Sequence, residues 1–405
     1  VNPGRRGNGR LATAPLAGAD ARLTGEPIDG PAIGICGSYG GLNVGDEAIL
    51  TAAIEQLRDV VPGVRLTVFS RDVAHTQSHY RLERVVDARR ALRDELTREL
   101  RELDLLLLGG GGLLYDREAE SYLHLPRLAQ AVGVPTATYA IGAGPLERGT
   151  ERRSVADVLN GMVCITVRDV AAQRLLEEVG VQRKIVVTAD PAVLLAPDPG
   201  PCRALELEPV DTSRRLVGMS VREPGGAAAG LEDGTYHRIL ADAADFVASR
   251  FEADLLFIPM ERQDVKHASR VIAEMGLPDH ATVLRRSYGP REMLRLMAEL
   301  DLAVGMRLHF LIFAALNGVP IVALPYASKV TSFLERLGQP TPPLIHREHA
   351  GALLASIDRM WDLREEQRAL LQERMPELKR EAARTPALIA GFLQQGVAHP
   401  AAQPA

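Results

Sequence analysis

Apolar residues in this chain fall into short unbroken runs separated by stretches of helical period. The runs at 32–36, 64–69, 105–108, 136–141, 164–167 and 185–188 read as strands. Helical patterns lie between them. From Gly45 onward, Leu50, Ile54, Leu57 and Val61 share one face, and a charged helix is expected over 89–102. Residues 190–214 break the rhythm with Asp190-Pro191, Pro197, Pro199-Gly200-Pro201 and Pro209, and read as a linker between domains. The pattern then restarts, with strands expected at 216–221, 254–259, 282–284, 302–305 and 320–324 and helices over 236–250 and 290–300. From His349 to about Gln394 the sequence reads as long helices charged on one side, before an end with Pro400 and Pro404 that is expected to fray.

Strands alternating with helices predict mostly parallel sheets covered on both faces. The expected fold class is therefore α/β: two Rossmann-like doubly wound domains facing a cleft, the GT-B-like arrangement, with a C-terminal helical segment. The boundaries follow as a flexible tail at 1–29, a first domain at 30–205, a second at 206–345, and helices and tail at 346–405. No repeat of 20–50 residues appears beyond the two similar halves.

Composition narrows the function classes. With 405 residues, 46% hydrophobic and 24% charged, the chain can bury a sizeable core in two domains. A net charge of −5 gives no general attraction to nucleic acid, and 4% aromatics leave few platforms for stacked bases. Cys36, Cys164 and Cys202 are far apart and fit no zinc or redox spacing, so no metal is expected. That usage suits a reducing cytoplasm. No apolar stretch reaches the roughly 18 residues of a membrane span. Arg5, Arg6 and Arg10 before Leu11–Ala17 faintly resemble a secretory leader, but the apolar piece is short and holds Thr13 and Pro15.

Candidate chemistry gathers where strands end, the place where open α/β sheets bind ligands. Gly305-Met306-Arg307-Leu308-His309 puts a fixed cation and a titratable imidazole there; on this stretch alone a surface arginine and a core histidine are equally good readings. Arg222 and Lys329 also map to strand ends of the second half, so a cationic pocket suited to a phosphate and a carboxylate is expected. In the first half, Gly37-Ser38-Tyr39-Gly40-Gly41-Leu42-Asn43-Val44-Gly45-Asp46-Glu47 follows a strand and opens a helix. Gly41 and Asn43 could contact substrate there or simply turn and cap the chain. The run Gly109-Gly110-Gly111-Gly112 permits close backbone approach, with Gly110 and Gly111 as ligand contacts. Tyr115, Asp116 and His124 follow, Asp116 as an acceptor for a sugar hydroxyl and His124 more in a structural role. Gly142-Ala143-Gly144-Pro145 and Arg168-Asp169 complete the set, with Gly142 and Arg168 facing the cleft and Asp169 as a helix cap.

In this order, from Gly34 to about Gly338, these pieces resemble the polysaccharide pyruvyl transferase family. The resemblance rests on Gly40-Gly41-Leu42-Asn43-Val44-Gly45-Asp46-Glu47-Ala48, the glycine run, Ala140-Ile141-Gly142-Ala143-Gly144-Pro145, Thr166-Val167-Arg168-Asp169, Gly305-Met306-Arg307-Leu308-His309 and Pro325-Tyr326-Ala327-Ser328-Lys329. It is greatest to the bacterial branch acting in cell-wall polymer synthesis. It implies phosphoenolpyruvate as donor substrate, no separate cofactor, a sugar acceptor and a pyruvate ketal product with release of phosphate. Arg307 and His309 match the family's donor motif. The segment Leu114-Tyr115-Asp116-Arg117-Glu118 departs from its usual Gln-Asp pair followed by Thr or Ser, which bears on the acceptor.

On that implication Arg307, Lys329, Arg222 and Arg168 hold the donor. His309 either protonates its methylene carbon or only holds its anionic groups. Asp46, Asp116 or Glu223 would take the proton of a hydroxyl. The acceptor is a cell-wall or exopolysaccharide precursor; a lipid-linked one would bring the cytoplasmic enzyme into transient contact with the inner membrane face. Two other readings stand beside this one. A nucleotide-sugar glycosyltransferase or epimerase would use Glu261 and Asp264 for ribose hydroxyls. A non-catalytic partner in polysaccharide assembly would keep the fold without turnover.

Overall fold

The computed structural model describes residues 30–41, 43–224, 231–324, 328–340 and 350–395. The expected tail at 1–29, Leu42, Pro325-Tyr326-Ala327, His349 and the prolines at 400 and 404 lie outside the described residues.

Two five-stranded sheets carry the two halves. In the first, β1 (Ala32–Cys36), β2 (Arg65–Ser70), β3 (Arg84–Asp87) and β4 (Leu105–Leu108) are joined by β6 (Thr136–Thr138) in the order β3-β2-β1-β4-β6. In the second, β10 (Arg215–Ser220), β11 (Ala253–Phe257), β12 (Ala281–Val283), β13 (Leu302–Gly305) and β14 (Ile321–Ala323) run β12-β11-β10-β13-β14. Every pairing in both is parallel. The order reverses between β1 and β4 in one half and between β10 and β13 in the other. Such switch points open a crevice beyond the strand ends, and here the two crevices face each other. The architecture is α/β and GT-B-like, as the alternation of elements predicts.

The first half departs from expectation in one respect that shapes the cleft. The segment 136–141 is not one strand, and Gly109–Gly112 is not simply a loop. A third sheet, β5-β7-β8-β9, is built from β5 (Gly111–Leu114), β7 (Ile141–Ala143), β8 (Ile165–Val167) and β9 (Ile185–Val187). Thus β4 and β6 each stop for two residues and resume in a new sheet. At the second break Ala140 has φ 51°, a left-handed backbone that costs free energy in a non-glycine residue. A buried threonine pair holds it there. Thr138 and Thr166 exchange hydroxyl-to-carbonyl bonds of 2.8 Å, and Thr166 Oγ1 accepts the Ala140 N–H at 2.8 Å.

Two further expectations change. The charged helix is shorter than expected, at Arg93–Arg101, and residues 88–92 before it form a turn that follows edge strand β3. Residues 190–214, expected as a linker, are exposed over much of their length, but their first part is built into the protein: Ala192, Val193 and Leu195, with Cys202 and Ala204 further on, belong to a core that both halves share. That core packs Ala48, Ile49 and Ala52 of helix Val44–Val60 against Leu308, Leu311 and Ile312 of helix Leu308–Leu316. The halves are therefore joined by apolar packing beneath a polar cleft.

Three helices close the chain. Trp361 of Ala350–Asp362 stacks on Phe251 with ring centroids 4.3 Å apart, fixing this helix to the second half. Helix Arg364–Ala382 adds Leu371, Met375 and Leu378 to the shared core. Helix Arg384–Gln394 crosses back, placing Ile389 and Ala390 in the core of the first sheet and Thr385 Oγ1 2.9 Å from Thr188 Oγ1. No helix among the described residues is long and apolar enough to cross a membrane.

Candidate functional site

Between the facing switch points lies a cleft of about 880 Å³. Arg222, Arg307, His309 and Lys329 line it from the second half; Gly41, Asn43, Asp46, Gly142 and Arg168 line it from the first. These residues are up to 288 positions apart in the chain (Gly41 to Lys329) and meet only because both switch points point inward. Gly110, Gly111 and Asp116, expected as ligand contacts, do not line the cleft.

The glycines of the run have packing reasons. A Cβ on Gly109 would fall 1.8 Å from the Tyr39 hydroxyl, and one on Gly110 would fall 2.8 Å from Ile49 Cγ2. Gly111 has φ 101° and lies beside Asp46. Side chains there would collide with Tyr39 of the loop or with the helix that carries Asp46, so the run lets both approach the sheet. Asp116 instead ties a turn together: its carboxylate accepts the Glu147 and Arg148 N–H groups at 2.9 and 3.2 Å. Those bonds hold it below the ordinary carboxylate range.

Asn43 caps helix Val44–Val60, its Oδ1 accepting the Gly45 and Asp46 N–H groups at 2.9 and 3.2 Å. Its amide nitrogen donates to Glu261 across the cleft, beside a bond from the Val44 N–H to the Met260 carbonyl at 2.9 Å. Glu47 braces the loop before the helix, accepting the Gly40 N–H and the Tyr80 hydroxyl, each at 2.8 Å. Asp46 is left facing the cleft. Burial raises its carboxyl above the usual range, and neighbouring Glu261 adds to this, while His309 and a bond from Ser38 pull the other way.

Arg307 is gripped from behind. Its Nε and Nη2 donate to the two oxygens of Asp264 at 3.1 and 2.5 Å, and Nη1 donates to Glu261 at 2.8 Å. Its side chain is 9% exposed and that of Asp264 1%. Burial raises the Asp264 carboxyl even against the pull of Arg307. This fork-to-fork pair fixes the guanidinium plane at the mouth of β13. Arg222, at the end of β10, pairs with Glu223, and the Tyr236 hydroxyl donates to its carbonyl at 2.9 Å. Burial favours the neutral form of Glu223, yet Arg222 holds its carboxyl low.

His309 sits in the first turn of helix Leu308–Leu316, whose N-cap Arg307 makes no side-chain cap. Its ring lies against Gly45, where a Cβ would stand 1.9 Å from Nδ1. On the other side Nε2 is buried, makes no hydrogen bond of good geometry, and faces Asp190 Oδ2 at 3.5 Å. Arg168 reaches the same oxygen, Nη1 to Oδ2 3.3 Å, and lies flat on Gly142, where a Cβ would touch its guanidinium at 2.7 Å. Asp190 is 6% exposed, and Oδ1 accepts the Ala192 N–H at 3.1 Å. Burial alone would raise this carboxyl; His309, Arg168 and the Ala192 amide hold it well below the ordinary range.

Sequence reading passed over Asp190 by assigning it to the linker. The signal was present: an Asp-Pro pair directly after a strand is a helix-capping pattern. Arg71 was passed over too. It lines the far wall, with Nη2 donating to the Tyr122 hydroxyl at 2.6 Å. No cluster of three or more His, Cys, Asp or Glu suited to a metal occurs among the described residues.

Chemically, the cleft offers several fixed cations, an imidazole between carboxylates, and helix N-termini that favour anions. A family model described as polysaccharide pyruvyl transferase matches residues 43–328. No curated protein matches the chain. Among solved structures it is similar to the UDP-GlcNAc 2-epimerase from Methanocaldococcus jannaschii, with TM-score 0.62 at 12% identity over 90% of this chain and 99% of that one. The UDP-GlcNAc 2-epimerase from Neisseria meningitidis gives 0.59 at 10% over 90% and 100%. A glycosyltransferase from Rickettsia africae gives 0.58 at 12% over 90% and 99%. At such identities the likeness is one of fold.

Proposed function

The chain belongs to the polysaccharide pyruvyl transferase family, and from that premise we propose that it moves the pyruvyl group of phosphoenolpyruvate onto two hydroxyls of a sugar in a cell-wall or exopolysaccharide precursor. The observation that carries this reading is the convergence of Arg222, Arg307, His309 and Lys329 on one side of the cleft, opposite Arg168. Phosphoenolpyruvate presents one phosphate and one carboxylate, and guanidinium groups suit both.

In this reading His309 protonates the methylene carbon, making C2 an oxocarbenium-like centre. One sugar hydroxyl bonds to C2, and the C2–O bond to phosphorus-bearing oxygen breaks with both electrons leaving on phosphate. A second hydroxyl then closes the ketal. Of the two hydroxyl protons, one restores the acid and the other departs with phosphate. Asp46 is the base for a hydroxyl, since its raised carboxyl can exchange a proton nearer neutrality than an ordinary aspartate. Asp116, turned away from the cleft, serves the turn instead.

The first test is calorimetry with phosphoenolpyruvate. Wild type is expected to bind it, and Arg222→Ala to bind at least about tenfold more weakly, the scale of one lost charge-assisted contact. Absence of binding by wild type would reject the donor. Binding without phosphate release across a panel of sugar acceptors would instead favour a non-catalytic partner.

Gly45→Ala gives a second expectation. The new methyl would displace the His309 ring, and a misplacement of about 1 Å can cost about 10²-fold in turnover. The thermal midpoint should also fall, because overpacking a buried site costs about 1–3 kcal/mol, more than the helix propensity of alanine returns. Full activity in this variant would remove His309 from the chemistry.

The fold likeness to UDP-GlcNAc 2-epimerases favours a second reading, in which a nucleotide sugar occupies the cleft. Against it, Glu261 and Asp264, the acceptors such a ligand would need, are engaged by Arg307. Binding of uridine diphosphate tighter than that of phosphoenolpyruvate would reverse this preference.

A further inference from the structure

We infer that Asp190 is the positioning residue of this site, holding Arg168 of the first half and His309 of the second on one carboxylate oxygen. The inference rests on the reading of His309 as the proton donor, and it adds a residue to which neither motif nor loop pattern assigns a role.

The geometry is specific. Oδ2 alone lies 3.3 Å from Arg168 Nη1 and 3.5 Å from His309 Nε2, while Oδ1 is fixed by the Ala192 N–H. The backbone bond orients the carboxylate before either partner arrives. Pro191 starts a short 3-10 turn at Pro191–Leu194 that packs into the core shared by both halves. Asp190 thus stands where the chain passes from the first domain toward the second, as the N-cap of a buried 3-10 turn. Asp169, which caps helix Val170–Glu178 through the Ala172 N–H, lies 3.4 Å from Arg168 Nε and completes that guanidinium's frame.

Two consequences follow from shared use of one oxygen. First, the side of His309 that faces Asp190 is Nε2, while the Nδ1 edge lies beside Gly45, which leaves no room there for a side chain. A carboxylate facing Nε2 selects the tautomer with its proton there. It also supplies a counter-charge when the ring is protonated. Second, Arg168 and His309 are correctly placed only while the halves keep their present spacing, because their common anchor lies between them. The carboxylate is suited to this role because it stays ionised, held so by the two cationic neighbours and the amide despite its burial.

Asp190→Asn is the test, since it keeps the shape and the Oδ1 bond and removes the charge. Histidine-ring NMR of the ligand-free protein is read first, with the His309 signal assigned by its loss in His309→Gln. In wild type the neutral ring is expected as the Nε2–H tautomer. In Asp190→Asn the neutral ring is expected to lose its preference for that tautomer, because the carboxylate that accepts the Nε2 proton is gone. A wild-type ring found as the Nδ1–H tautomer would overturn the proposal, and that result does not need the variant to fold. An unchanged tautomer preference in a folded variant would overturn it equally. Neither result depends on the identity of the donor.

Kinetics supply the second arm. Asp190→Asn should lower kcat about 10²-fold, with donor affinity changed by less than about tenfold. Added to His309→Gln, it should cost less than threefold more, because the two residues act as one unit. Additive losses in the double variant would reduce Asp190 to a structural role. If wild type turns over no phosphoenolpyruvate while the NMR behaviour holds, the donor reading fails and the Asp190 assignment stands.

Discussion

Replacing Arg307 with alanine is expected to be the most damaging single change in this protein, for stability as well as for binding. The substitution leaves Asp264, 1% exposed, without the guanidinium that engages both of its oxygens, and leaves Glu261 bonded to the neutral amides of Asn43 and Gln263. Removing one member of a buried ion pair costs about 3–5 kcal/mol. The sign of its pH dependence is fixed by Asp264. Its carboxyl is already raised by burial, and without Arg307 it would rise further, so the folded state binds more protons than the unfolded one. Stability of the variant is then greatest below the unfolded carboxylate value of about 3.9 and falls as pH rises through the folded one. Denaturant titrations of wild type and Arg307→Ala at pH 5 and pH 8 should therefore show the larger gap at pH 8. Adding Asp264→Asn should recover part of the loss. A variant as stable as wild type at pH 8 would show that the fork-to-fork pair contributes nothing.

Donor binding should vanish in the same variant, and the double substitution separates the two effects. Arg307→Ala with Asp264→Asn is expected to regain stability without regaining affinity for phosphoenolpyruvate. Recovery of both would mean that Arg307 acts only as a strut between β13 and the helix Asp264–Glu274.

His309→Gln is the second large effect, and it should act on rate rather than on folding. Glutamine can still hydrogen-bond but cannot carry a proton to carbon. Loss of a general acid is worth about 10²–10⁴-fold in turnover, while affinity for the donor should change by less than about tenfold. The pH profile discriminates further. Wild-type kcat should fall on its alkaline side as the acid loses its proton, and that limb should be absent from the residual activity of His309→Gln. If kcat is kept and donor affinity collapses, His309 holds an anion and the proton comes from elsewhere, with Asp46 the next residue to replace.

Much of this site was legible as a set of strand-end loops. Arg222, Arg307, His309 and Lys329 were placed together because cations at strand ends of one parallel sheet converge at its switch point. Other readings needed correction for a common reason. Gly110 and Gly111 looked like ligand contacts because glycine runs permit close approach, but what approaches is Ile49 and Asp46 of the protein itself. Asp116 looked like a free acceptor because sequence does not show that two backbone amides at Glu147 and Arg148 claim it. The kink at Ala140 was invisible because it is set by Thr138 and Thr166, which are 28 residues apart.

The sequence by itself determined the alternation of short apolar runs with helical faces, hence two parallel sheets, and the residue types at their carboxyl ends. These follow from local period and backbone sterics, which act over a few residues. Tertiary structure alone decided that the two switch points face each other over a shared apolar core, that Arg307 is held by Asp264 and Glu261, and that Asp190 stands between Arg168 and His309. Those contacts join residues 22 to 119 positions apart. The free energy of a buried charge depends on which groups surround it in space, and no local pattern carries that information.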